Sequence, residues 1–174
     1  MRRRALAERA EDTSGGRVGI VVGSRSDIAA AEKAAAVLDE LGVPSETRVI
    51  SAHRAPELLA RFVAAAEERG IRVFIAIAGL AAHLPGVIAS QTTLPVVGVP
   101  MPGGVGDGLD ALLAIVQMPK GVPVATVGVG NGENAGLLAA AILAVSDPQL
   151  RARLVARRAT QADAIAADEA NVGL

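Results

Sequence analysis

The 174-residue chain reads as an α/β domain, a three-layer doubly wound parallel sheet of the flavodoxin-like or Rossmann-like group. Three observations carry that expectation. Short Val- and Ile-rich runs alternate with Ala- and Leu-rich stretches of helical length, as in a parallel sheet covered by helices on both faces. The runs are continuously apolar, as strands buried on both faces are. Gly, Pro, Ser or Asp marks most of the junctions, where turns and helix starts need them.

Residues 1–16 end in Ser14-Gly15-Gly16 and read as a flexible leader. Residues 18–22 form the first strand, 23–27 a turn, and 28–41 a helix closed by Gly42. Residues 46–50 are the second strand. Residues 56–69 are the second helix, opened by Pro56 and ended by Gly70. A third strand covers 73–78, a loop 79–86 and a short helix 87–91. Residues 95–99 are the fourth strand, followed by the Gly- and Pro-rich segment 100–108. A helix over 109–116, a fifth strand over 122–129, an Ala-rich helix over 134–145 and a last helix from Pro148 complete the pattern. Residues 17–158 are thus expected as a single α/β domain and 159–174 as a helical tail.

Bulk properties exclude several functions. A net charge of -1 gives no electrostatic case for nucleic acid or for an anionic membrane. The chain has no cysteine, hence no disulfide, thiol nucleophile or thiolate metal site. Its only two histidines stand thirty residues apart, a poor basis for a metal site. No apolar run reaches about 18 residues and no signal-peptide core opens the chain, so a cytoplasmic location is expected. Hydrophobic residues make up 51% but aromatics only 1%. Much small apolar surface would face water in a monomer, which favours self-association.

Parallel strands end on one edge, and ligands bind there near a topological switch point. Three polar loops follow strands one to three. Gly23-Ser24-Arg25-Ser26-Asp27 joins a strand to a helix start, with hydroxyls and free N–H groups suited to a phosphate. Ser26 or Asp27 equally suits a plain N-cap. The segment is neither a G-x-G-x-x-G turn nor a P-loop. In Ser51-Ala52-His53-Arg54-Ala55-Pro56, a histidine stands between a hydroxyl and a guanidinium, an acid–base group beside anion binders. A polar turn leading into a helix is the simpler alternative. Gly79 to Gly86 adds His83 among small residues that let backbone approach a planar ring; a helix cap or a satisfied histidine is the alternative there.

These segments occur in order with Pro-Val-Val-Gly-Val-Pro (95–100), Ile-Val-Gln-Met-Pro (115–119) and Pro-Val-Ala-Thr-Val (123–127). The combination resembles the aminoimidazole ribonucleotide carboxylase family of purine biosynthesis over residues 17–158. The usual bacterial members are N5-carboxyaminoimidazole ribonucleotide mutases. The resemblance implies a flavodoxin-like domain, a homo-octamer, a small ribonucleotide substrate, and no metal or organic cofactor. It implies that His53 and His83 are catalytic, with His53 the acid–base group. Gly23, Ser24, Ser26, Asp27, Ser51 and Arg54 would hold the ribose phosphate, while Gly79, Ala81, His83 and Leu84 would surround the imidazole and carboxylate. Direct carboxylation by carbon dioxide, or binding without turnover, are the other activities it leaves open. The chain departs from the family at Ile77 and Leu80, where a longer glycine run is usual, and at Ala55, where Thr is usual.

Overall fold

The computed structural model describes residues 17–171. The strands are β1 (Arg17–Val22), β2 (Ser45–Val49), β3 (Ile71–Ala78), β4 (Val96–Pro100) and β5 (Ala125–Thr126). All pair in parallel in the order β2-β1-β3-β4-β5. This flavodoxin-like order reverses direction between β1 and β3, which sets the switch point there. The helices are α1 (Ile28–Glu40), α2 (Pro56–Ala64), α3 (Leu84–Ala89), α4 (Leu109–Val116), α5 (Gly132–Leu143) and α6 (Pro148–Ala166).

Period-two alternation of strand side chains divides the core into two layers. Val18, Ile20, Val73, Ile75, Val97 and Val99 pack toward α1 and α5. Val21, Phe74, Ala76 and Val96 pack toward α2, α3 and α4, against Leu59, Ile88 and Ile115. With one ring at most per strand, close approach replaces bulk. A side chain on Gly98 would stand 2.4 Å from Ile115 Cγ2.

Helix ends follow local chemistry. Gly42 (φ 66) ends α1 in a Schellman motif, with Gly42 N–H donating to Asp39 O and Val43 N–H to Leu38 O. Gly70 (φ 78) closes the segment before β3 in the same way. Helix α6 is tied back by Arg153 Nε donating to Leu41 O at 2.8 Å. Arg157 reaches Glu133 at 2.7 Å and Glu40 at 3.2 Å. Its hydrogen bond to Glu133, more than any other contact, raises the guanidinium pKa further above its usual range. The helix runs without a break across position 159.

Several expected boundaries move. The second helix stops at Ala64 rather than residue 69, and turns fill the gap to Gly70. Helix α3 begins at Leu84, three residues before the expected 87, because Pro85 fits a first helical turn. Helix α5 is displaced to 132–143, since Asn131 Oδ1 accepts from Asn134 N–H and so sets the start. The fifth strand is only Ala125–Thr126, not 122–129: Pro123 has no N–H for a ladder, and β5 is an edge strand. The expected leader 1–16 lies outside the described residues.

The Ala- and Gly-rich face of α5 also has a different partner from the one its composition suggests. Gly132, Gly136, Ala139 and Ala140 are buried inside the chain, where the two glycines approach α1. Leu137, Leu138, Ala141 and Ile142 are only half-buried. The helix is therefore not enclosed on every side by its own chain.

Candidate active site

The loops after β1, β2, β3 and β4 meet at the carboxyl edge of the sheet and enclose a cleft of about 770 Å³. The first loop folds as a 3-10 turn, Arg25–Asp27, whose cap is Ser24: its Oγ accepts from Ser26 N–H at 3.4 Å. Asp27 makes no side-chain cap at the head of α1. Its carboxylate instead accepts from the Ser26 hydroxyl at 2.9 Å. Of the two expected caps, neither is used as such.

Ile50 N–H donates to Val22 O, keeping the chain on β1 as it leaves β2. The next residues turn tightly, closed by Ala55 N–H to Ser51 O at 2.9 Å, and Pro56 then starts α2. Within that turn Ser51 Oγ accepts from both N–H and Nε of Arg54 at 3.3 Å. Arg54 Nη2 donates to Gly23 O at 3.3 Å, which ties the β2 loop to the β1 loop. A guanidinium carries five N–H groups, and these side-chain contacts use two. The rest remain for an anion beside the 24–27 hydroxyls.

The two histidines, thirty residues apart in sequence, meet here. His53 Nε2 and His83 Nδ1 are 2.9 Å apart, with the rings nearly perpendicular at 82°. Such a contact needs one N–H and one lone pair. While it holds, the pair carries at most one proton between the two facing nitrogens, and the outer nitrogens, His53 Nδ1 and His83 Nε2, are its working ends. Both rings are exposed to the cleft. No group of three His, Cys, Asp or Glu side chains that could hold a metal ion occurs among the described residues.

The other end of the cleft is apolar. Gly79 lies against Met101, where an added Cβ would stand 3.3 Å from Met101 Cβ. Leu80 and Ala81 line the cleft, while Leu84 is buried beneath it with Cδ2 near Gly23. All eleven candidate residues therefore converge on one cleft. Met101 and Pro102 line it too and were not anticipated. Their signal was the edge rule itself: the Pro- and Gly-rich segment after β4 ends on the same side as the other three loops.

A family model described as AIR carboxylase matches residues 17–164. The chain belongs to the AIR carboxylase family. Within the family it is 55% identical over 156 residues to an N5-carboxyaminoimidazole ribonucleotide mutase of Mycobacterium tuberculosis (strain CDC 1551 / Oshkosh), covering 90% of each chain. It is 55% identical over 137 residues to a protein of the same name from Pyrococcus horikoshii, covering 79% of this chain and 77% of that one. A phosphoribosylaminoimidazole carboxylase of Schizosaccharomyces pombe is 53% identical over 137 residues, which is only 25% of that longer protein. The solved structure of Treponema denticola PurE superposes with a TM-score of 0.81 at 27% identity, over 91% of this chain and 99% of that one. The AIR carboxylase match spans all four loops of the cleft.

Proposed function

We propose that the chain is an N5-carboxyaminoimidazole ribonucleotide mutase of purine biosynthesis, moving a carboxyl group from the exocyclic nitrogen to the ring carbon. The observation that carries this reading is the His53–His83 contact at 2.9 Å beside the anion-suited turns at 24–27 and 51–54. Full-length similarity to proteins named as this mutase supports it.

The ribose phosphate sits between Arg54, Ser51 and the 24–27 turn, and the imidazole ring sits beside the histidines. His53 protonates the carbamate nitrogen as the N–C bond breaks and carbon dioxide leaves. Held in the cleft, carbon dioxide is attacked by the ring carbon at high effective concentration. His53, neutral after the first step, then removes the ring proton and restores aromaticity. Proton in and proton out balance on one imidazole. For this, His83 Nδ1 accepts from His53 Nε2–H at the shared contact, which leaves His53 Nδ1 as the atom that gives and then takes the proton.

The test is incubation with N5-carboxyaminoimidazole ribonucleotide in parallel with aminoimidazole ribonucleotide plus bicarbonate. The ultraviolet absorbance of the C-carboxylated product can be followed without interference, since the chain has no Trp or Tyr. Rapid product from the first mixture alone is expected. Product from the second mixture alone would make the chain a direct carboxylase, the name borne by the longer fungal and plant relatives.

Arg54→Ala is expected to weaken binding of the phosphorylated ligand by about 1.5–3 kcal/mol, with Arg54→Lys restoring only part. Titration calorimetry against the ribonucleotide and its dephosphorylated nucleoside reads this. Equal loss for both ligands would place the phosphate elsewhere.

The same reading includes a cytoplasmic homo-octamer. Leu109, Leu113 and Val116, at helical spacing along α4, are exposed, as are Val105 and Val129. An unpartnered apolar stripe of this kind favours burial between identical chains. Light scattering after size exclusion should give roughly eight times the chain mass of 17.5 kDa. Leu113→Glu should lower that mass, and a stable, active monomer of the unaltered protein would overturn it.

A further inference from the structure

We infer that the chain carries a second ligand site, a pocket for a small organic anion at the edge of the sheet opposite the cleft. Nothing in it depends on the mutase reading above.

Parallel strands begin on one edge as they end on the other, and the starting edge is built here from three junctions. Gly42 (φ 66) ends α1, and Pro44 leads into β2, with Pro44 O accepting from Val18 N–H at 2.9 Å. Arg72 is the second residue of β3. Ser146 and Asp147 lie in the link between α5 and α6. Together they enclose a pocket of about 320 Å³, the size of a small-ligand site. Arg72 precedes Gly79 of the cleft along β3, which sets pocket and cleft roughly 23 Å apart.

Much of the wall is apolar. Val43 and Leu150 are buried there, and Ile142 and Leu143 are half-buried beside them. The charged groups of the wall are Arg72, Arg153 and Asp147. Two guanidiniums against one carboxylate leave the positive sign in excess.

Both arginines are held by backbone oxygens. Arg153 Nε donates to Leu41 O at 2.8 Å. Arg72 Nη1 donates to Ile71 O at 3.1 Å and to Glu67 O at 3.3 Å. Neither pairs with a carboxylate among the described residues, whereas Arg48, Arg69 and Arg157 each do. A free arginine on a surface loses much side-chain entropy when a ligand orders it. Arg72 and Arg153 are tethered beforehand, which lowers that loss. The tethers leave both Nη groups of Arg153, and Nε and Nη2 of Arg72, without a protein partner among the described residues. A guanidinium donates from such neighbouring N–H groups to the paired oxygens of a carboxylate or phosphate.

Asp147 orients what binds. Its Oδ1 accepts from Leu150 N–H at 2.9 Å and so caps α6. Its negative charge opposes an anion at that end, which directs the anionic group toward the arginines. The body of the ligand then lies on Val43, Ile142, Leu143 and Leu150, where apolar surface leaves water. The chemistry recognised is an oxyanion, carboxylate or phosphate, on a compact apolar body.

Titration calorimetry with benzoate and with phenyl phosphate tests this, on the unaltered protein and on Arg72→Gln and Arg153→Gln. At least one probe should show a binding component weakened about tenfold or more in both variants, as loss of a charge-assisted contact predicts. Arg54→Ala, at the cleft, should leave that component intact. Response of benzoate alone identifies a carboxylate site, and of phenyl phosphate alone a phosphate site. Benzyl alcohol, with the same ring and no charge, should bind about tenfold more weakly than the responsive probe. If Arg153→Gln unfolds at a much lower temperature because α6 loses its tie to Leu41, Arg72→Gln decides alone. Binding of both probes that ignores Arg72→Gln would overturn the inference, as would absence of binding or benzyl alcohol binding as tightly. Each of these results leaves the mutase reading standing.

Discussion

His53→Asn is expected to slow carboxyl transfer by about a hundred- to ten-thousandfold, the usual contribution of a positioned acid–base group, while the ribonucleotide still binds. Asparagine occupies similar space and can still meet the neighbouring ring nitrogen of His83, so the loops after β2 and β3 need not part. What it cannot do is carry a proton near neutrality. Carbamate cleavage then lacks its acid, and the ring proton lacks its base. Single-turnover rates and ligand titration on the same variant separate the two effects. Binding depends on Ser51, Arg54 and the 24–27 turn, which the substitution leaves alone. A variant with nearly full activity would remove His53 from the chemistry.

Gly132→Ala is expected to destabilise the fold by about 2 kcal/mol or more, the outcome of two opposed effects. Alanine is favoured over glycine in a helix by about 1 kcal/mol. Against that, the new Cβ would stand 2.0 Å from Ala30 O and 2.8 Å from Ala30 C. Both atoms are backbone, so no rotamer change relieves the clash and α5 must move off α1. That separation also opens the neighbouring contact of Gly136 with Val37. The steric effect exceeds the propensity gain, and the midpoint of thermal unfolding should fall by roughly 4–8 °C. Gly136→Ala should be milder, because its nearest obstacle is a side-chain methyl, Val37 Cγ1, and the nearest backbone atom, Ala34 O, stands at 2.8 Å rather than 2.0 Å. A Gly132→Ala protein as stable as the original would mean that the helices do not pack at this distance.

Much of the architecture was legible because its signals are local. Continuous Val/Ile runs gave β1, β3 and β4, and glycines 42 and 70 marked where the chain turns toward β2 and β3. The edge rule gathered the loops 23–27, 51–54 and 79–86 before any contact was known, and residues of all three do share one cleft. Other features depend on partners that a local pattern does not name. The fifth run looked long because it is apolar, but an edge position and Pro123 leave pairing only at Ala125 and Thr126. Small apolar residues pointed to self-association, whereas those of α5 at 132, 136, 139 and 140 are buried within the chain, the two glycines against α1. The direct contact between His53 and His83 spans two loops on either side of β1, and spacing in the sequence says nothing of it. Leu80 was visible as a bulky residue where glycine is usual, but its left-handed backbone and its reach to Gly104 emerge only in three dimensions.

The cleft between the first four strand ends is held to be the site where a phosphorylated aminoimidazole ribonucleotide is worked on, and a crystal structure of the protein with that ribonucleotide bound tests this most directly. The phosphate should lie within hydrogen-bonding distance of Arg54, Ser51 and the backbone of residues 24–27, with the imidazole ring beside His53 and His83. A ribonucleotide found in another part of the molecule, or lying in the cleft with its phosphate at the Leu80 and Met101 end, would contradict it.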